Sequence, residues 1–280
     1  MPELPDVEGF RRYLARHAQG NRIERVDVVD PVLARNRTPQ ALGRALQGGR
    51  FAAPARHGKW LIAPVGDVEL LLHFGMTGEL RWSEREEDRH RHDRLIFVCD
   101  EGELRYNNMR RFGGVWLAQD DEERLRVTGP LGPDATRLDR AVFEALLRGR
   151  RGGIKAALMD QRLLAGIGNL LADEILWRAH VHPATPVARL TSAHRERLYD
   201  ALRGAVGESL RYGRVPHGTR WLTRVRDDRD AGCPRCGTRL RRATIAGRTA
   251  CWCPRCQRLP RTPRGSAPSK SSASSRRAAT

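Results

Sequence analysis

Lysine is almost missing from this 280-residue chain. Of 51 basic residues only Lys59, Lys155 and Lys270 are lysine, so 48 (51 − 3) are arginine. Long apolar runs are missing too. Apolar strings stay short, as in residues 68–72, far below the ~20 residues that a membrane-spanning helix needs. A membrane-spanning helix is therefore not expected. No basic start leads into an apolar stretch, so a secretory signal is excluded and the cytoplasm is the expected location. No internal repeat is present. Cysteine is sparse until late, with Cys99 alone before Cys233. Acidic residues fall short of basic ones, 33 against 51, for a net charge of +18. The segment after Cys256 carries six basic residues and no acid, which leaves +12 (18 − 6) on the rest of the chain. Such a body points to a polyanionic partner, most simply nucleic acid. General enrichment in arginine is the competing reading.

The length suits two domains, or one domain and a smaller module. A hydrophobic content of 40% is enough for a core. Residues 6–17 place Val7, Phe10, Tyr13 and Leu14 at helical spacing. Residues 39–47 predict a short helix. Between residues 50 and 117 short apolar runs alternate with turn residues, which predicts antiparallel strands in a sandwich or barrel. Residues 84–94 are almost all charged and predict an exposed, solvated loop. His90 and His92 lie there, and a metal site is the lesser reading of them. From residue 138 the period becomes helical, over 138–147, 154–164, 169–178 and 191–210. The chain is thus β-rich first and helical second, an α+β layout. Residues 121–137 are the expected linker. Residues 258–280 lack periodicity and predict a disordered basic tail.

Five of the six cysteines fall within 24 residues. Cys233-Pro-Arg-Cys236 and Cys253-Pro-Arg-Cys256 are two C-x-x-C pairs joined by a spacer long enough for a β-hairpin. Four thiolates on one ion suit a closed, structural zinc site. Cys251 alternates with Cys253 and faces away, so it is excluded, as is Cys99. Arg248 follows Gly247 near the expected hairpin turn, suited to a phosphate. Gly166-Ile-Gly168-Asn169 opens a helix whose free N–H groups also suit a phosphate. Lys155 opens the preceding helix, on the same groove.

The start, Met1-Pro-Glu-Leu-Pro-Asp-Val-Glu8, has chemistry of its own. Removal of Met1 would expose the secondary amine of Pro2, a nucleophile able to form an iminium with an aldehyde-like carbon. Glu3 beside it could move protons. A Met-Pro start without catalytic meaning is the competing reading. His57-Gly-Lys59-Trp60, Gly75-Met76-Thr-Gly78 and Arg110-Arg-Phe112-Gly113 put Lys59, Met76, Arg110 and Phe112 on turns. A protein that takes a base out of the stack needs such groups to fill the hole. For Met76 and Phe112 ordinary core packing competes.

Together these residues resemble the formamidopyrimidine-DNA glycosylase and endonuclease VIII family of base-excision repair enzymes. The resemblance spans residues 1–257. It includes Leu72-His-Phe-Gly-Met-Thr-Gly78, Ile154-Lys-Ala-Ala-Leu-Met-Asp-Gln161 and Gly166-Ile-Gly-Asn-Leu-Leu-Ala-Asp-Glu174 as well as the motifs above. It implies an antiparallel β-sandwich with flanking helices (1–120), a helix-two-turn-helix domain (138–226) and a zinc finger (227–257). By resemblance Pro2 is the nucleophile on C1′, Glu3 its acid/base partner and Lys59 a phosphate contact at the lesion. Met76, Arg110 and Phe112 fill the gap. Asn169 and Arg248 clamp phosphates, Lys155 joins the DNA-binding set, and Asp6 and Glu174 support the site. One structural zinc ion is implied, with damaged double-stranded DNA as partner and a nucleoid-associated monomer as the working form. A non-catalytic binder of damaged DNA on the same scaffold is the alternative, and Pro2 and Glu3 argue against it. Two departures stand out. Asp6 replaces a more usual Glu. The stretch from Tyr212 to Gly232 is shorter than in 8-oxoguanine enzymes, where it carries a loop over the flipped base. Oxidised pyrimidines, ring-opened purines or abasic sites are therefore expected to serve at least as well as 8-oxoguanine.

Overall fold

The computed structural model describes residues 2–84 and 86–259. Met1 and most of the expected tail, from residue 260, lie outside the described residues. Helix α1 (Leu4–His17) begins two residues before the expected start, with Pro5 in its first turn, where a missing N–H costs nothing. The Asp6 carboxylate accepts the Glu3 amide at 2.8 Å and closes that first turn. Val7 and Leu14 pack into the sandwich core. Leu4 instead enters the core of the helical domain, and its amide donates to the Gly166 carbonyl at 3.1 Å. The N-terminus is therefore pinned where the two domains meet.

The sandwich has two four-stranded antiparallel sheets. One runs in the order β1 (Ile23–Val28), β6 (Asp93–Cys99), β7 (Gly102–Asn108) and β5 (Gly78–Ser83). The other runs β2 (Ala55–His57), β3 (Trp60–Val65), β4 (Val68–His73) and β8 (Gly114–Ala118). Alternation places Leu61, Ala63 and Val65 of β3 inward and leaves Trp60, Ile62 and Pro64 partly exposed, as a half-buried strand requires. Leu95, Phe97, Leu104 and Tyr106 face them across the core. Helix α2 (Pro39–Leu46), capped by the Thr38 hydroxyl, buries Leu42 and Leu46.

The described residues of the charged stretch 84–94 are mostly exposed, as expected, and Arg89 pairs with Asp27 at 3.0 Å and also with Glu103, folding the loop over the sheet. His90 and His92 belong to no metal-ligand cluster among the described residues. The stretch 121–137 holds helix α3 (Asp121–Thr128), which buries none of its residues fully and so shows no apolar stripe in the sequence.

The helical domain contains α4 (Arg140–Leu147), α5 (Ile154–Met159), α6 (Asn169–Arg178) and α7 (Ser192–Tyr212). Helix α5 stops at Asp160, six residues before Gly166, and not at residue 164 as expected. The Asp160 carboxylate takes the Arg162 amide at 3.0 Å, which ends the helix in a turn. Gly213, in the left-handed region, closes α7. The finger is a hairpin of β9 (Arg241–Ile245) and β10 (Arg248–Trp252). No helix of the described residues is long and apolar enough to cross a membrane.

Candidate functional site

Glu3 is fully buried. Its carboxylate accepts the amides of Gly168 at 2.9 Å, Leu170 at 2.7 Å and Leu171 at 3.1 Å. These are the free N–H groups at the start of α6, where the helix dipole also favours an anion. The sequence marked this helix start for a phosphate; the carboxylate beside Pro2 occupies it. Burial nevertheless raises the Glu3 pKa, against the lowering effects of Lys59 and the Leu170 and Leu171 amides. Gly168 is needed here, because an added Cβ would lie 2.6 Å from Glu3 Cγ. Gly166, at φ 110°, leaves no room for a side chain either, since Leu4 packs against it.

Lys59 follows the Gly58 turn between β2 and β3 and is half-buried. Burial lowers its pKa, Glu3 raises it, and the positive charge of Arg248 lowers it again. An acid, a lysine and the finger's arginine thus share one electrostatic field. The turn is fixed from outside the sandwich: Asp134 accepts the Gly58 amide at 2.7 Å and Arg56 Nη1 at 2.6 Å. His57 Nε2 meets the Gly132 carbonyl at 2.9 Å. The segment expected as a linker therefore helps to place Lys59. His73, at the end of β4, packs against Trp60 with centroids 5.0 Å apart and the rings tilted by 57°. Burial and Lys59 push its pKa down to about 4, so the ring is neutral at neutral pH.

The turns carrying Met76, Arg110 and Phe112 lie together. Arg110 N donates to Thr77 Oγ1 at 3.1 Å, and Thr77 donates to Asn108 Oδ1 at 3.1 Å. Asn108, fully buried, also gives its Nδ2 to the Phe112 carbonyl at 2.5 Å. Arg111 takes a positive φ of 60° and pairs with Asp30 at 2.6 Å. The result is a projecting edge on which Met76 is 37% and Phe112 51% exposed. Arg110 lies 5.4 Å from the Phe112 ring centroid. Core packing does not account for these two apolar side chains. Met109, 54% exposed, extends the same edge and was not singled out from the sequence.

In the finger, the sulfurs of Cys233, Cys236, Cys253 and Cys256 all lie within 4.8 Å of one another. Separations of 3.6 Å (Cys236–Cys253) and 3.5 Å (Cys256–Cys236) suit one ion bound at the ~2.3 Å of a zinc–thiolate bond. Trp177 Nε1 donates to Cys233 Sγ at 3.3 Å, and the Cys256 amide to Cys253 Sγ at 3.4 Å, contacts that favour thiolates. The four cysteines therefore form a structural zinc-binding site. Cys251 is buried outside it.

Lys155 is the clearest correction among the site residues. It does not face a groove. It is fully buried, 2.7 Å from Asp173 Oδ1. A lysine with an acid so close can be enclosed, and this one braces the finger. Asn169 Nδ2 donates to the Thr249 carbonyl at 3.1 Å. Glu174 is buried too, taking Arg178 Nε and the Leu222 amide, each at 2.8 Å. It ties α6 to the chain that leads into the finger. Arg248 opens β10 just after the Ala246-Gly247 turn, and is exposed.

A buried acid on a helix start, a projecting edge and a zinc-braced arginine, arranged where a β-sandwich meets a helical domain, define a protein built to handle nucleic acid. The sequence pattern of the formamidopyrimidine-DNA glycosylase N-terminal domain matches residues 1–115, and that of its H2TH domain residues 131–219. The zinc finger found in FPG and IleRS matches residues 233–259. A formamidopyrimidine-DNA glycosylase of Rhodococcus opacus is 35% identical over 288 residues, covering 93% of this chain and 98% of the relative. One of Thiobacillus denitrificans is 38% identical over 272 residues, covering 92% of this chain and all of the relative. The Lactococcus lactis Fpg in complex with abasic-site DNA superposes with a TM-score of 0.83 at 29% identity, over 92% of this chain and all of that one. The same enzyme bound to DNA containing N7-benzyl-Fapy-dG gives 0.83 with the same identity and coverage. The chain belongs to the formamidopyrimidine-DNA glycosylase family.

Proposed function

We propose that this protein removes oxidised or ring-opened bases from double-stranded DNA and cuts the strand at the resulting abasic site. The observation that carries this reading is the Glu3 carboxylate, buried on the α6 N-terminus next to Pro2 and within the field of Lys59. A protein that only binds DNA has no use for an acid held in that way.

The chemistry begins with Met1 removed. The Pro2 nitrogen attacks C1′ of the damaged nucleotide and the C1′–N bond breaks, so the base leaves with that electron pair. Glu3, the acid beside Pro2, delivers a proton as the sugar ring opens. The adduct becomes an iminium between Pro2 and C1′. The iminium acidifies the C2′ hydrogen; its loss expels the 3′ phosphate, and a second proton loss expels the 5′ phosphate. Water then releases Pro2. No redox cofactor is needed. Lys59 and Arg248 hold flanking phosphates and Asn169 assists them. Met76, Arg110 and Phe112 occupy the space left by the everted base, with Arg110 toward the orphaned partner base. Asp6 fixes the Glu3 backbone, and Glu174 holds the finger approach. The zinc ion braces the hairpin that carries Arg248. The monomer is the working unit.

On substrate, the nine residues 213–221 between α7 and the next turn support the shorter reading. Val215, Pro216 and Trp221 are buried, which leaves 217–220 exposed and little chain to cover a flipped base. Oxidised pyrimidines, ring-opened purines and abasic sites are therefore processed at least as fast as 8-oxoguanine. Excision rates on duplexes carrying 8-oxoguanine, formamidopyrimidine and thymine glycol test this, and clearly fastest release of 8-oxoguanine contradicts it.

A further inference from the structure

Asp173 lies at the centre of a buried charge cluster that the chemistry above does not touch. Its side chain is enclosed, with Lys155 Nζ 2.7 Å from Oδ1, and Arg226 Nε 2.9 Å and the Cys251 amide 3.1 Å from Oδ2. Lys155 is 0% and Arg226 7% exposed. Charges so enclosed persist only when paired and hydrogen-bonded. Both cations share a further partner atom, and Arg226 Nη1 also meets Asp227 Oδ1 at 3.0 Å. The Thr249 carbonyl accepts Arg226 Nη2 at 2.6 Å, Lys155 Nζ at 3.2 Å and Asn169 Nδ2 at 3.1 Å. A carbonyl oxygen has two lone pairs, so the three donors share this one acceptor from three directions. The donors come from α5, α6 and the segment that enters the finger, and Thr249 lies on β10. One peptide is thereby tied to three separate segments.

That peptide follows Arg248. The Arg248 guanidinium is exposed, makes no hydrogen bond or ion pair among the described residues, and places its charge in the field of Lys59. The hairpin itself gives little help in placing it, because β9 and β10 pair only with each other. The clamp sits one residue from the functional side chain and makes no hydrogen bond to any of the four cysteines among the described residues.

We propose that Arg226, held by Asp173 beside Lys155, is a positioning residue that fixes Arg248 for phosphate capture. The proposal rests on the reading of Arg248 as a phosphate contact. Replacing Arg226 by Met leaves Lys155 and Asp173 paired, so the buried acid keeps a partner. Replacing Asp173 would strand two cations, and that variant is avoided for this reason.

The test uses the full-length, zinc-loaded protein and a duplex carrying a tetrahydrofuran abasic-site analogue. Affinity is measured against salt for the wild type, Arg226→Met, Arg226→Lys, Arg248→Ala and the Arg226→Met/Arg248→Ala double variant. Arg226→Met is expected to bind about tenfold more weakly and to lower the salt slope by about one, as loss of one phosphate contact does. Arg226→Lys recovers part of the affinity. The double variant binds no more weakly than Arg248→Ala alone, because the two losses are one loss. Zinc content stays that of the wild type, while the melting temperature falls with the loss of a buried ion pair. Additive losses in the double variant, an unchanged salt slope in Arg226→Met, or zinc loss from it would each overturn the proposal. A wild-type protein that binds the abasic duplex no better than undamaged DNA removes the underlying functional reading, and this inference with it.

Discussion

The Glu3 carboxylate and the Gly168 amide meet at 2.9 Å across the boundary between the sandwich and the helical domain. The candidate acid is therefore held by the second domain, although it belongs to the first. Its position depends on how the domains sit together, and the Asp134 contacts to Gly58 and Arg56 hold the same boundary. Binding DNA between the domains would act directly on this acid.

Gly168→Ala tests that dependence. The added methyl group would fall on the Glu3 side chain, while the backbone at φ −116° accepts alanine. The carboxylate must move off the α6 amides. Base excision should fall about 100-fold, the scale of losing a preorganised electrostatic contact. DNA affinity should change little. Single-turnover excision beside a binding isotherm checks both, and a fully active variant would contradict the assigned role of Glu3.

The pH dependence of stability follows from the same group. Glu3 has a folded-state pKa above its ordinary value of 4.5, because burial outweighs its hydrogen bonds. Its contribution to stability is present below 4.5 and is lost as pH rises through the raised value. Glu3→Gln removes this loss. The melting temperature of Glu3→Gln minus that of the wild type should grow from pH 4.5 upward, while excision falls. Parallel melting curves across that range would show that the carboxylate is not strained by burial.

Removing the metal should separate finger from sandwich. A chelator, or Cys253→Ser, breaks a site whose binding energy is folding energy. Affinity for abasic-site duplex should drop at least tenfold, the cost of ~1.4 kcal/mol in binding. Near-ultraviolet circular dichroism of the sandwich aromatics should persist. Unchanged affinity in zinc-free protein would exclude the finger from DNA binding.

Phe112→Ala should leave stability alone, because the ring is half-exposed and only Arg110 lies over it. The expected loss is in discrimination. Affinity for a lesion duplex should fall about tenfold, ~1.4 kcal/mol, as part of the unstacking cost is no longer offset, with undamaged duplex affected much less. Equal losses on both duplexes would reduce Phe112 to a general contact.

Much of this arrangement was legible in the chain. Short apolar runs separated by glycine turns specified the sandwich strands, and two C-x-x-C pairs specified the metal site, because both signals are local. Glu3 was legible as a proton carrier but not as the anion on α6, since its partners lie 165 to 168 residues away. Lys155 was misplaced for the same reason: Thr249 is 94 residues from it, and a lysine at a helix start looks exposed until its acid is found. Asp173 sat in a quoted motif without a role, and Arg226 was one arginine among many. Helix α3 escaped notice because a helix with no buried face has no periodic signal to read.

In the proposed reaction the Pro2 nitrogen bonds to C1′ of the lesion. Borohydride added during reaction of the Met1-processed protein with an abasic-site duplex should reduce the iminium to a stable amine and trap a covalent protein–DNA species. That species should vanish in Pro2→Gly, or when Met1 is retained. Absence of any trapped species from correctly processed wild-type protein, or equal trapping by the Pro2→Gly variant, would contradict the account.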